Sequence, residues 1–183
     1  MLKNKLLNKG ILSKRLLEMG VFSFDQLIAL IQNLPYGRNA DRANPDLVLK
    51  ELKGACSTKH ALIKKIALEQ EINEVKLILC MFKMNAKNTS KIAKVLYKYN
   101  LEYIPEAHCV LQIKNQYLDI TTSKSSYNKI KEDVIELVEI QPEQIGVFKV
   151  EYHQQFLKTW LNNNNYSFEE LWKIREECIE ALS

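Results

Sequence analysis

The chain has no long apolar run. Nowhere do about 18 apolar residues follow one another, which excludes a helix that crosses a membrane. The first residues, Met-Leu-Lys-Asn-Lys-Leu-Leu-Asn-Lys-Gly-Ile-Leu, interrupt each apolar stretch with charge, so the apolar segment of a secretory signal is missing and a cytoplasmic location is expected. Paired cysteine motifs are also missing. Cys56, Cys80, Cys109 and Cys178 include no Cys-x-x-Cys and no zinc-ligand spacing, so neither metal nor cofactor is expected and all four should be free thiols in a reducing compartment. There is little excess charge of one sign. The 26 Lys and Arg against 22 Asp and Glu leave +4, spread along the chain rather than gathered as a nucleic-acid face would be, so no nucleic-acid partner is expected. No repeat and no long low-complexity stretch occurs; the four asparagines 162–165 read as a loop.

What is present suits one ordinary domain. The 183 residues are 46% hydrophobic, enough to bury a core and too much for a disordered chain. A weak amphipathic helix runs to about Glu18. Ser23-Phe24-Asp25-Gln26 has the capping-box pattern of a helix start, followed by Leu27, Ile28, Leu30, Ile31 and Leu34, and the turn Pro35-Tyr36-Gly37-Arg38-Asn39 closes it. A short helix is expected over 46–53, stopped by Gly54. From Cys56 to Gln70 the pattern is a helix with a wide apolar face and a polar stripe of Lys59, Lys64 and Lys65. Val75 to Phe82 is short and densely apolar, as in a strand covered on both faces. A helix over 89–99 follows, then a hairpin of His108–Ile113 and Tyr117–Thr121, then two or three more helices, the last beginning near Ser167. The order implies an α+β domain with one antiparallel sheet. It divides into an N-terminal helical part (1–45), a core (46–122) and a helical C-terminal extension (123–183).

Three residues in this frame suit one chemistry. Cys56 follows Gly54-Ala55 and opens a helix, where unsatisfied N–H groups stabilise a thiolate. His108 heads an apolar strand and shares a face with Val110 and Gln112. If Lys114 and Asn115 form the hairpin loop, Ile113 pairs with Gln116 and Asp119 falls opposite Val110, diagonal to His108 on the same face; a shift of one residue would turn it away. Thiol, imidazole and carboxylate then form a nucleophile, base and orienter.

These residues also carry a resemblance. Gly54-Ala55-Cys56-Ser57-Thr58-Lys59-His60-Ala61-Leu62 resembles the nucleophile segment of transglutaminase-like proteins. Glu71–Ile78 is similar to that family's passage into its first sheet strand, Glu106-Ala107-His108-Cys109-Val110 to its histidine strand, and Tyr117-Leu118-Asp119-Ile120-Thr121 to its aspartate strand. The likeness covers about Leu49 to Thr122. The usual His-Ala-Trp is replaced by His108-Cys109-Val110, and the aromatic near the aspartate is displaced to Tyr117. The resemblance implies a papain-like core, in which the thiol helix packs on an antiparallel sheet bearing the other two residues, with extra helices at both ends. It implies amide cleavage or exchange through a thioester on a peptide or other amide-containing substrate, with activity lost in some members.

Acyl transfer needs donors for an oxyanion. The Cys56 N–H is one; Tyr36 or Asn39 is the expected second, with Arg38 contacting substrate. Elsewhere His60 reads as a packing or neighbouring histidine, His153 as exposed, and Cys80, Cys109, Cys178, Trp160 and Trp172 as packing residues. A second reading keeps the fold but makes the triad idle, the segment 127–183 offering a surface to a protein partner or a second copy. An open cleft at the sulfur would favour the enzyme; a groove filled by side chains would favour the scaffold.

Overall fold

The computed structural model describes residues 4–161 and 166–182; the expected asparagine loop lies outside them. Within the described residues the chain forms α1 (Ile11–Glu18), α2 (Phe24–Asn33), α3 (Leu47–Glu51), α4 (Cys56–Glu69), β1 (Val75–Asn85), α5 (Ala93–Lys98), β2 (Tyr103–Ile113), β3 (Gln116–Leu118), β4 (Val134–Ile140), α6 (Val147–Trp160) and α7 (Phe168–Glu180). The fold is α+β, with a four-stranded antiparallel sheet in the order β3-β2-β1-β4.

The helix starts follow local chemistry. Ser23 caps α2 by accepting the Gln26 N–H at 3.2 Å, and Ser167 does the same for α7 through Glu170 N–H at 3.2 Å. β1 and β2 pair along eleven residues, from Val75 opposite Ile113 to Asn85 opposite Tyr103. The two-residue loop Lys114-Asn115 sets Ile113 opposite Gln116 and Leu111 opposite Leu118, the register that puts Asp119 on the His108 face. β3 ends there, so among the described residues β2 has no outer strand partner from Val110 back to Tyr103.

Helices cover both sheet faces. Ala61 of α4 packs on Leu77, Leu79, Met81, Ala107 and Cys109, and the α4 residues Leu62, Ile63 and Ile66 join α1 and α2 in a second cluster. The opposite face, with Ile78, Cys80, Phe82 and Val110, meets Leu157 of α6 and Leu171, Ile174 and Cys178 of α7.

Three expectations need correction. The segment 123–183 is not wholly helical, because β4 lies in it and pairs with the outer side of β1. Val-Ile-Glu-Leu-Val-Glu-Ile satisfies either periodicity, and the free edge of β1 decides between them. The lysines of α4 do not form a solvated stripe. Lys59 and Lys64 are buried and donate to backbone carbonyls, Lys64 to Val75 at 2.8 Å, while Lys65 pairs with Asp46 at 2.7 Å. Their long stems let the ammonium reach carbonyls at the ends of neighbouring segments. His153 is buried too, with Nε2 donating to the Pro105 carbonyl at 2.9 Å.

Candidate active site

Local constraints at Gly54 place Cys56. A Cβ at Gly54 would lie 2.9 Å from Lys59 Cγ, 3.0 Å from Val48 Cγ2 and 3.1 Å from Thr58 Oγ1. Its absence lets the segment before α4 run beside the Tyr36 segment, where Gly54 N–H donates to Pro35 at 3.1 Å and Gly37 N–H to Gly54 at 3.2 Å. Cys56 then takes the first position of α4, a 14-residue helix with no cap accepted by the Ala55 side chain and no acidic residue in its first turn. The partial positive charge of that end is left for the sulfur.

The structure brings Cys56, His108 and Asp119 together. Asp119 is buried; its Oδ2 accepts from His108 Nε2 at 3.0 Å, and its Oδ1 accepts from Thr121 N–H at 2.9 Å and the Thr121 hydroxyl at 2.6 Å. Burial works against the Asp119 charge, but the His108 imidazolium, His60 and the Thr121 hydroxyl outweigh it and hold the carboxyl well below the usual range. Cys56 and His108 line the same cavity with Asp119, and the Cys56 sulfur lies 3.8 Å from the Ser57 hydroxyl oxygen. With Nε2 committed to Asp119, Nδ1 is the nitrogen left for the sulfur. Burial alone would raise the Cys56 pKa, yet the charge and hydrogen bond of His108, the Lys149 ammonium and the Cys109 N–H lower it to about 6. Burial likewise opposes charge on His108, and the Asp119 carboxylate and Cys56 thiolate overcome it, raising its pKa well above the ordinary imidazole value. Both shifts favour a thiolate–imidazolium pair.

Two cavities, of about 240 Å³ and about 520 Å³, share Cys56 in their walls. Both are lined by Tyr36, Cys56, Glu106 and Ile179. The smaller extends past Phe82, His108 and Ser125; the larger extends past Arg38, Ser57, Val147, Lys149 and Trp172. Tyr36 thus stands beside Cys56, and burial, followed by the neighbouring thiolate and Glu106, keeps its phenol protonated to high pH. Arg38 lines the larger cavity while its guanidinium donates to Glu176 at 2.9 Å.

Asn39 is committed elsewhere. Its amide nitrogen donates to Glu51 at 3.1 Å and to the Lys53 carbonyl at 3.0 Å, and its oxygen accepts from the Thr58 hydroxyl at 2.8 Å. Both amide hydrogens are used, so Asn39 is not a donor for an oxyanion; it braces the turn before α4.

The other thiols contrast with Cys56. Cys80, Cys109 and Cys178 are buried, and burial pushes them up to about 11, 11 and 12. Among the described residues no group of three or more His, Cys, Asp or Glu side chains is arranged to hold a metal ion, and no helix is long and apolar enough to cross a membrane.

Sequence reasoning missed Glu106, Arg175 and Ile179. Glu106 lies two residues before His108 and on its face of β2, so parity could have found it. Arg175 grips it bidentately, Nε to Oε2 at 2.8 Å and Nη2 to Oε1 at 2.6 Å, and comes from α7, for which no local signal exists. Comparison of the chain with family models, with curated proteins and with solved structures finds no match to any of them.

Proposed function

We propose that the chain is a cysteine-dependent amide or ester hydrolase or acyl transferase with a papain- or transglutaminase-like core. The observation that carries this reading is that Cys56, His108 and Asp119 line one cavity, with His108 bonded to Asp119 and a second cavity reaching Cys56. An open groove favours an enzyme over an idle scaffold, whose site would be filled by its own side chains.

The Cys56 thiolate attacks the substrate carbonyl carbon. A C–S bond forms and the π pair moves to oxygen. That oxyanion is received by the Cys56 N–H at the head of α4 and by the Tyr36 hydroxyl. His108 passes its proton to the leaving nitrogen or oxygen as the carbon–heteroatom bond breaks, and a thioester remains. Water or an amine then attacks the thioester. His108 takes its proton, the C–S bond breaks, and the thiolate is restored. Asp119 stays ionised throughout, holding Nε2–H and stabilising the imidazolium. Arg38 and Lys149, on the wall of the larger cavity, contact the peptide or amide-containing substrate.

The test is acyl capture. Incubation with an activated acyl ester, then intact-mass measurement after acid quench, should show one acyl group on Cys56 in wild type and none in Cys56→Ala. An unmodified wild type, or equal labelling of both, overturns the proposal.

A further inference from the structure

Two consecutive polar residues of α4 are fully buried, and the steps above use neither. The His60 ring is satisfied at both nitrogens: Nδ1 lies 2.7 Å from the Cys56 carbonyl oxygen, and Nε2 lies 2.9 Å from the Ile120 backbone nitrogen. A carbonyl only accepts and an N–H only donates, so Nδ1 carries the proton and Nε2 the lone pair. The ring is neutral. Burial lowers its pKa to about 4, opposed by Asp119 and aided by His108 and Lys59. Asp119 Oδ1 is 3.7 Å from Nε2, and the His108 ring is 6.2 Å away, centre to centre. Lys59 donates from Nζ to the Leu34 carbonyl at 2.5 Å and the Thr121 carbonyl at 2.8 Å.

The partners of these two residues are backbone atoms of the segments that carry the site. Leu34 precedes Pro35-Tyr36, Ile120 and Thr121 follow Asp119, and the Cys56 carbonyl belongs to the nucleophile itself. The sheet register gives this meaning. Leu118 opposes Leu111, so a continued ladder would set Ile120 opposite Cys109. Instead the Ile120 N–H turns to His60 Nε2, and the β2–β3 ladder stops at Leu111 opposite Leu118.

We infer that His60 is a positioning residue for Cys56, His108 and Asp119, assisted by Lys59. Together they draw the chain after Leu118 off β2 and onto α4. The carboxylate is thereby held at bonding distance from the imidazole, and the edge of β2 is left open for the sulfur. The inference rests on the catalytic reading above.

The experiment is the pH dependence of iodoacetamide labelling of Cys56 in wild type, His60→Leu and His60→Gln, with melting curves to establish folding. Gln keeps an acceptor for the Ile120 N–H, whereas Leu keeps neither bond. The expected result is a wild-type midpoint near 6, raised by about one unit or more in His60→Leu and by less in His60→Gln. Folded variants that keep the wild-type midpoint overturn the role of His60 and leave the catalytic reading standing. A wild-type midpoint near the ordinary 9.0 overturns both. If His60→Leu does not fold, His60→Gln alone carries the midpoint comparison. Imidazole nitrogen NMR of wild type supplies the second readout: a neutral Nδ1–H ring at neutral pH supports the inference, and an Nε2–H tautomer or an imidazolium overturns it.

Discussion

Two buried charge clusters lie side by side on one face of β2, and they differ in what is left unsatisfied. Around Glu106 everything is matched: Arg175 takes both carboxylate oxygens, its third nitrogen reaches Glu176, and Glu176 accepts from Arg38. Around His108, two residues on, Asp119 accepts from His108 and twice from Thr121, but Cys56 lines two cavities. The saturated cluster clamps α7 to the sheet. The other leaves a thiol of lowered pKa in the wall of both cavities. Burial perturbs both, so perturbation alone does not separate the two clusters; access from a cavity and a matched partner set do.

Removing Cys56 should have the largest effect. Native Cys56→Ala should show no fast thiol labelling by mass spectrometry, because the remaining three thiols are buried. Fast labelling that survives would place the reactive group elsewhere. Next in size, His108→Ala removes the imidazolium, and at pH 6 the thiolate fraction should fall on the order of several hundred-fold, read as the labelling rate. A fall below tenfold would mean that the helix start alone sustains the thiolate.

The saturated cluster should answer in stability rather than reactivity. Arg175→Met leaves a buried carboxylate without its partner and should cost about 3–5 kcal/mol in denaturant unfolding, while Glu106→Met with Arg175→Met should recover most of it. A folded single variant with unchanged stability would contradict the clamp. Gly54→Ala meets Lys59, Val48 and Thr58 at 3.1 Å or less and should cost about 1–3 kcal/mol.

Acid separates the clusters most gently. Arg175 and His153, against the cost of burial, lower the Glu106 pKa from 4.5 to about 2. A depressed carboxyl pKa stabilises the fold above the unfolded-state value, and that contribution disappears as pH falls from 4.5 towards about 2. Melting temperatures across this window should fall more steeply in wild type than in the Glu106→Met, Arg175→Met double variant.

The placement of Cys56, His108 and Asp119 was legible where it depended on local order. Gly54-Ala55-Cys56 before an apolar helix pointed to Cys56 at a helix start, and a two-residue hairpin loop set the parity of Asp119. The clamp was not legible, because Arg175 reaches Glu106 across 69 residues and nothing near either names the other. The polar residues of α4 misled for a related reason. A lysine every few positions reads as solvent exposure, yet the acceptors of Lys59 and Lys64 are carbonyls from other segments. β4 was missed because its partner edge, not its own alternation, selects the strand.

The central claim is an ion pair between Cys56 and His108 at neutral pH. Thiolate ultraviolet absorbance, measured against pH as wild type minus Cys56→Ala, reads it directly. The account predicts a single step with its midpoint near 6, and a midpoint near 9.0, the value of an unassisted thiol, would contradict it.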